Sequence, residues 1–208
     1  MSTAEPVSSS LSTRLGDVSN VLLLVGHDDD RAEEGCMELL SSTPLSSANV
    51  LCVTADSSPD ERVAAWNAHL GDDRPARIGF IDVGATTRGG SPGIGDPSDP
   101  FSVHTIEHPA DLIGIEINRS RYQSAWAGDD NRLVVCVDSL NSLLDNVSLE
   151  RAFRFLNALT GRFRAADAIA HYHLDPSGYD ERTLNTIKGL FDAVVEPHED
   201  GEWRTRVR

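Results

Sequence analysis

Short apolar runs alternate with segments of helical periodicity along most of this chain, and few architectures accept that order. Strands read at 20–25, 49–54, 77–83, 102–105, 132–137, 168–173, 193–196 and 203–207. Helices read at 31–41, 59–70, 148–164 and 180–191, and another is marked by Leu112, Ile115, Arg119, Tyr122 and Trp126. Successive residues of a strand point to opposite sides, so a strand that is apolar throughout must be covered on both faces. Repeated β–α alternation with such strands predicts an α/β fold with a mostly parallel central sheet and helices on both faces, three layers in all.

A length of 208 residues suits one domain with a sizeable core. Residues 1–17 are Ser/Thr-rich and weakly apolar, which predicts a disordered or mobile N-terminal tail that docks only at Leu11 and Leu15. The single domain then spans 18–208 and contains a flexible Gly/Pro-rich loop at 84–100. No helical pattern opens directly behind the glycines of that loop, where a phosphate cradle draws its N–H groups.

Acidic residues number 33 against 18 basic ones, for a formal charge of −15, and Lys188 is the only lysine. Binding to nucleic acid or to an anionic membrane needs clustered Lys and Arg, so both are excluded as partners. Self-repulsion in so acidic a chain is relieved where molar salt shortens the screening length to about 3 Å, and the near-absence of lysine predicts a salt-rich cytosol. No basic leader with an apolar core follows Met1, and no apolar run approaches the ~20 residues that span a bilayer. A soluble cytoplasmic protein is expected. Cys36, Cys52 and Cys136 each lie in an apolar stretch without C-x-x-C spacing, which points to core packing in a reducing compartment.

Ligands of open α/β sheets lie beyond the carboxyl ends of the strands. There the chain places Gly26-His27-Asp28, Ala55-Asp56, Asp82, Asp138-Ser139 and His173-x-Asp175. After the first strand, Gly26-His27-Asp28-Asp29-Asp30-Arg31-Ala32-Glu33 occupies the position of a phosphate loop. The phosphate-binding pattern G-x-x-x-x-G-K followed by Ser or Thr supplies wrapping N–H groups, a lysine and a magnesium-binding hydroxyl. Its last three positions here are Arg31, Ala32 and Glu33, and three aspartates oppose an anion.

The run from Arg132 to Asp138-Ser139-Leu140 has the form of a Walker B strand ending in a magnesium-binding aspartate. Together with the strand at 168–173, the segment from Thr183 to Val195 and the stretch Val50-Leu51-Cys52-Val53-Thr54, it resembles the RecA-superfamily ATPases of the KaiC-like branch. That resemblance implies a RecA-like P-loop NTPase fold with a degenerate Walker A motif. It also implies a vestigial nucleotide edge at Gly26, Asp56, Asp138 and Ser139. Only Gly26 survives of the phosphate loop, and Ala55-Asp56 stands where a water-polarising acidic pair is expected.

Phosphoryl transfer depends on positioning and charge stabilisation, so a site without lysine, hydroxyl ligand or paired acid has little with which to accelerate it. The expected function is therefore a regulatory or protein-interaction module, in signalling by analogy with the resemblance, with no catalytic residue and no cofactor. Its expected partner is another protein or a second copy of the chain. One alternative is an ATP sensor with little or no turnover. Another is a metal-dependent hydrolase: His171 and His173 lie on one strand face, Asp175 follows, and His27, Asp82 and Asp138 end nearby. No G-x-S-x-G elbow supports a serine nucleophile.

Overall fold

A computed structural model describes residues 11–70, 73–85, 89, 93–198 and 201–208. In chain order the elements are α1 (Leu11–Leu15), β1 (Asn20–Leu24), α2 (Arg31–Leu40), β2 (Ala48–Thr54) and α3 (Pro59–Leu70). Next come β3 (Arg77–Val83), β4 (Phe101–Ile106), α4 (Leu112–Ala125), β5 (Arg132–Asp138) and α5 (Leu140–Asn146). The chain continues through α6 (Leu149–Ala165), β6 (Ile169–Leu174), α7 (Glu181–Lys188), β7 (Ala193–Pro197) and β8 (Trp203–Val207).

The strands form one sheet in the order β4-β3-β2-β5-β6-β1-β7-β8. The β7–β8 pair is antiparallel and the other pairs are parallel. This is the three-layer α/β arrangement expected from the alternation. Strand parity sorts the side chains. Leu22, Leu51, Val135 and Tyr172 pack under α4 to α7 with Tyr122, Leu156, Phe163 and Ile187. Their neighbours in sequence, Val50, Cys52, Val134 and Cys136, pack on the opposite face with Cys36, Met37 and Leu40 of α2 and Trp66 of α3.

The starts of α4, α6 and α7 are marked by side-chain caps. Asp111 accepts from Gly114 N at 2.9 Å, Ser148 from Arg151 N at 3.4 Å and Asp180 from Thr183 N at 2.7 Å. The helix expected at 180–191 ends at Lys188, before Gly189. The short helix α5 was not expected: its seven residues bury only Leu140 and Leu143, too brief a run to show a helical period.

Residues 1–10 of the expected tail lie outside the described residues. From Leu11 the chain is helical, and Leu11 and Leu15, one turn apart, are buried against Leu39, Val195 and Trp203. Part of the 84–100 loop is also outside the description, but its second half is tied down. Ile94 bridges His104 antiparallel, Gly95 N donates to Val103 O at 2.8 Å, and Thr105 N donates to Gly93 O at 2.9 Å. Gly93–Gly95 thus runs along the outer side of β4, and the indole of Trp126 holds Pro97 O at 2.7 Å.

Candidate functional site

Parallel register brings the carboxyl ends of β1, β2, β5 and β6 to one edge, where Thr54 pairs Asp138, Val137 pairs Tyr172 and Leu24 pairs Leu174. The strand-end residues surround a cleft of about 510 Å³ lined by Asp28, Asp30, Glu33, Asp56, Asp138 and the cation Arg62. This edge holds all four residues expected at the vestigial nucleotide site: Asp56, Asp138, Ser139, and Gly26 just beyond the end of β1.

The loop from β1 to α2 turns its own cation away from the cleft. Arg31 Nε and Nη2 lie 3.0 and 2.8 Å from the two Asp29 oxygens, and Nη1 donates to His198 O at 3.2 Å. The Arg31 hydrogen bonds hold the Asp29 carboxyl below its ordinary range. A Cβ at Gly26 would meet nothing within 4 Å, so packing does not demand glycine there. The positive end of α2, which holds a phosphate in a P-loop, here faces Glu33 and Glu34 of the first turn.

Arg62 is the residue that sequence reasoning missed. It shares the buried face of α3 with Pro59 and Trp66, so an arginine stands at a core-facing position. Its Nη1 lies 2.9 Å from Glu33 Oε2 and 3.5 Å from Asp138 Oδ2, and its Nη2 lies 3.1 Å from Cys36 Sγ. Its side chain is 8 % exposed. One guanidinium thus lies between the Glu33 and Asp138 carboxylates and pairs with both.

Asp56 is occupied as well. Ser139 Oγ and Ser142 Oγ donate to its two oxygens, which ties it to the start of α5. Ser139 also caps α5 by accepting from Asn141 N at 3.2 Å, and Ser57 Oγ donates to Asp138 at 3.4 Å.

His171 and His173 share a strand face as expected, but Asp175 does not join them. Beyond the end of β6 it accepts from His27 N at 2.9 Å and from Ser177 N at 2.8 Å, bonds that lower its pKa. The histidines instead meet two cysteines. His171 Nε2 lies 3.4 Å from Cys36 Sγ, His173 Nε2 lies 3.7 Å from Cys136 Sγ, and the sulphurs are 3.9 Å apart. The sequence signal was parity: Cys136 pairs His171 in register, and both face α2.

Burial raises the Cys36 thiol well above its usual pKa. Cys136 is also raised; its bond with Cys36 opposes the rise, and Cys52 and burial outweigh it. Burial drives His171 well below the ordinary imidazole value. Burial opposes protonation of His173 too, but the Cys36 sulphur and the Asp138 carboxylate, 3.9 Å from Nδ1, outweigh it and raise that group.

The sequence matches the family of unknown function DUF7504 over residues 18–197. The chain belongs to that family. No curated protein matches this DUF7504 chain. Among solved structures it is similar to an uncharacterised Pyrococcus horikoshii protein crystallised with an unknown peptide, at 16% identity and TM-score 0.59, covering 91% of this chain and 84% of that one. It is similar to the flagellar accessory protein FlaH of Methanocaldococcus jannaschii at 13% identity and TM-score 0.57, over 97% and 83% of the two chains. A KaiC-like protein of Pyrococcus horikoshii aligns at 12% identity and TM-score 0.55, over 91% and 78%. These likenesses establish the RecA-like fold of this DUF7504 member. Among its described residues, no helix is long and apolar enough to cross a membrane.

Proposed function

We propose that this protein is a catalytically degenerate RecA/KaiC-like domain that serves as a regulatory or protein-interaction module in a salt-rich cytosol. The observation that carries the reading is Arg62, whose guanidinium sits between Glu33 and Asp138 where a nucleotide-bound magnesium ion would need the same carboxylate. A triphosphate entering this cleft meets Asp28, Asp29 and Asp30 and no lysine, with Ala32 too short to reach it. Gly26, Asp56, Asp138 and Ser139 are then the remnants of a nucleotide edge, now serving as turn, cap and ion-pair residues.

A scaffold that has lost its anion site retains its surfaces. Ile113 and Ile117, one turn apart on α4, are 74% and 55% exposed, an apolar pair suited to a protein partner or a second copy. That one similar structure was crystallised with an unknown peptide is consistent with such a role.

Thermal unfolding in molar KCl, with and without Mg-ATP, tests the reading. The expected result is no shift at any ligand concentration, whereas a ligand at a hundredfold excess over its Kd adds about 2.7 kcal/mol. A shift that Asp138→Ala abolishes would overturn the proposal.

A further inference from the structure

We infer that Cys36, Cys136, His171 and His173 form a closed tetrahedral site for a zinc-class ion, joining α2 to β5 and β6. One ligand atom from each of the four residues lies within 4.8 Å of all the others. Tetrahedral zinc, with Zn–S of about 2.3 Å and Zn–N of about 2.0–2.1 Å, places two sulphurs about 3.8 Å apart and a sulphur about 3.5–3.6 Å from a nitrogen. The corresponding distances here are 3.9 Å between sulphurs and 3.4 and 3.7 Å from sulphur to nitrogen. Two sulphurs and two imidazoles select a borderline-soft ion over magnesium or calcium, which prefer oxygen.

Hydrogen bonding within the group does not account for its composition. His171 is fully buried and its Nδ1 has no hydrogen-bond partner. Its Nε2 has only the weak 3.4 Å contact with Cys36 Sγ, which a metal bond would replace, while Nδ1 stays unpaired in either case. The surroundings also suit metal ligands. Arg62 Nη2 lies 3.1 Å from Cys36 Sγ, placed to donate to a thiolate, and the Asp138 carboxylate faces Nδ1 of His173, the ring nitrogen left free when Nε2 binds. Cys36, Cys136 and His171 are buried and His173 is 9% exposed, so no open coordination position faces a substrate. The role that follows is structural, and His173 at the floor of the acidic cleft gives the ion its way in.

The proposal does not depend on loss of ATP hydrolysis, and its test uses no nucleotide. The full chain is stripped with a chelator in molar KCl under reducing conditions, then titrated with Co²⁺ followed by Zn²⁺. The expected result is one equivalent of Co²⁺ giving the intense visible bands of a tetrahedral ion with a thiolate-to-cobalt charge-transfer band, bleached by one equivalent of Zn²⁺. Cys52→Ala, which changes a neighbouring cysteine outside the tetrad, keeps that spectrum. Cys136→Ala weakens Zn²⁺ binding by more than about 100-fold, beyond the 10–100-fold typical of residues that only support a ligand. No binding by the folded wild-type chain, or the weak spectrum of an oxygen-ligated octahedral ion without charge transfer, overturns the assignment whether or not any variant folds.

Discussion

Replacing Arg62 with methionine removes one cation from between two carboxylates and keeps most of the buried stem. At an effective dielectric of about 20, the Glu33 contact at 2.9 Å carries about 5.7 kcal/mol of Coulomb attraction and the Asp138 contact at 3.5 Å about 4.7 kcal/mol. Desolvation of a guanidinium whose side chain is only 8 % exposed offsets most of that sum. The variant, however, retains the cost of the abandoned acids, which are 25% and 18% exposed. Breaking such a pair from one side typically costs about 3–5 kcal/mol, and the partial exposure of Glu33 places the expected loss near about 3 kcal/mol. Urea unfolding in molar KCl measures it. Adding Glu33→Gln and Asp138→Asn to Arg62→Met should recover much of the loss, since the stranded charges are then gone. Millimolar Mg²⁺ should stabilise Arg62→Met and leave the wild type unchanged, because the carboxylates become free to take an ion. A loss below about 1 kcal/mol, or strictly additive effects in the cycle, refutes the idea that Arg62 pairs with both acids.

Gly79→Ala should destabilise by about 2 kcal/mol in the same unfolding assay, because its new Cβ would lie 2.7 Å from Cδ1 of Tyr122. That ring cannot simply retreat, since its hydroxyl donates to Phe80 O at 3.1 Å; an unchanged midpoint would show that it does. Asp192 accepts from Asn20 N at 2.9 Å and from Arg164 at 2.5 Å; burial opposes the effect of these bonds, but they hold its pKa below the usual carboxylate value. Its stabilisation is present above the unfolded pKa near 3.9 and is lost as pH falls through the lower folded value. Asp192→Asn should therefore cost about 1 kcal/mol at pH 7 and progressively less below pH 4. An equal deficit at pH 7 and pH 3 would contradict this.

The layered sheet was legible because strand parity and helix spacing are local: six-residue runs such as 132–137 announce two covered faces without knowledge of their neighbours. The strand-end position of Asp56, Asp138 and Ser139 followed from the same rule. What those residues do there did not follow, because their partners are distant in sequence. Arg62 reaches Asp138 across 76 positions and Cys36 meets His171 across 135. An arginine at a core-facing position of α3 was a visible anomaly, but only the fold names the acids it answers. Asp175 misled for a local reason: the strand stops at Leu174, so the alternation that would have aligned it with His173 ends one residue too soon.

The run of Gly93–Gly95 alongside β4 limits how this protein can be approached. It already occupies outward-facing peptide groups of Val103 and Thr105, so an incoming polypeptide cannot lengthen the sheet by pairing with them. At the far border, β8 presents Arg204 and Arg206, whose charges hinder stacking of like copies. For the proposed interaction role, this leaves the helical flanks as the surfaces for a partner, by side chains fitting side chains and not by growth of a ribbon.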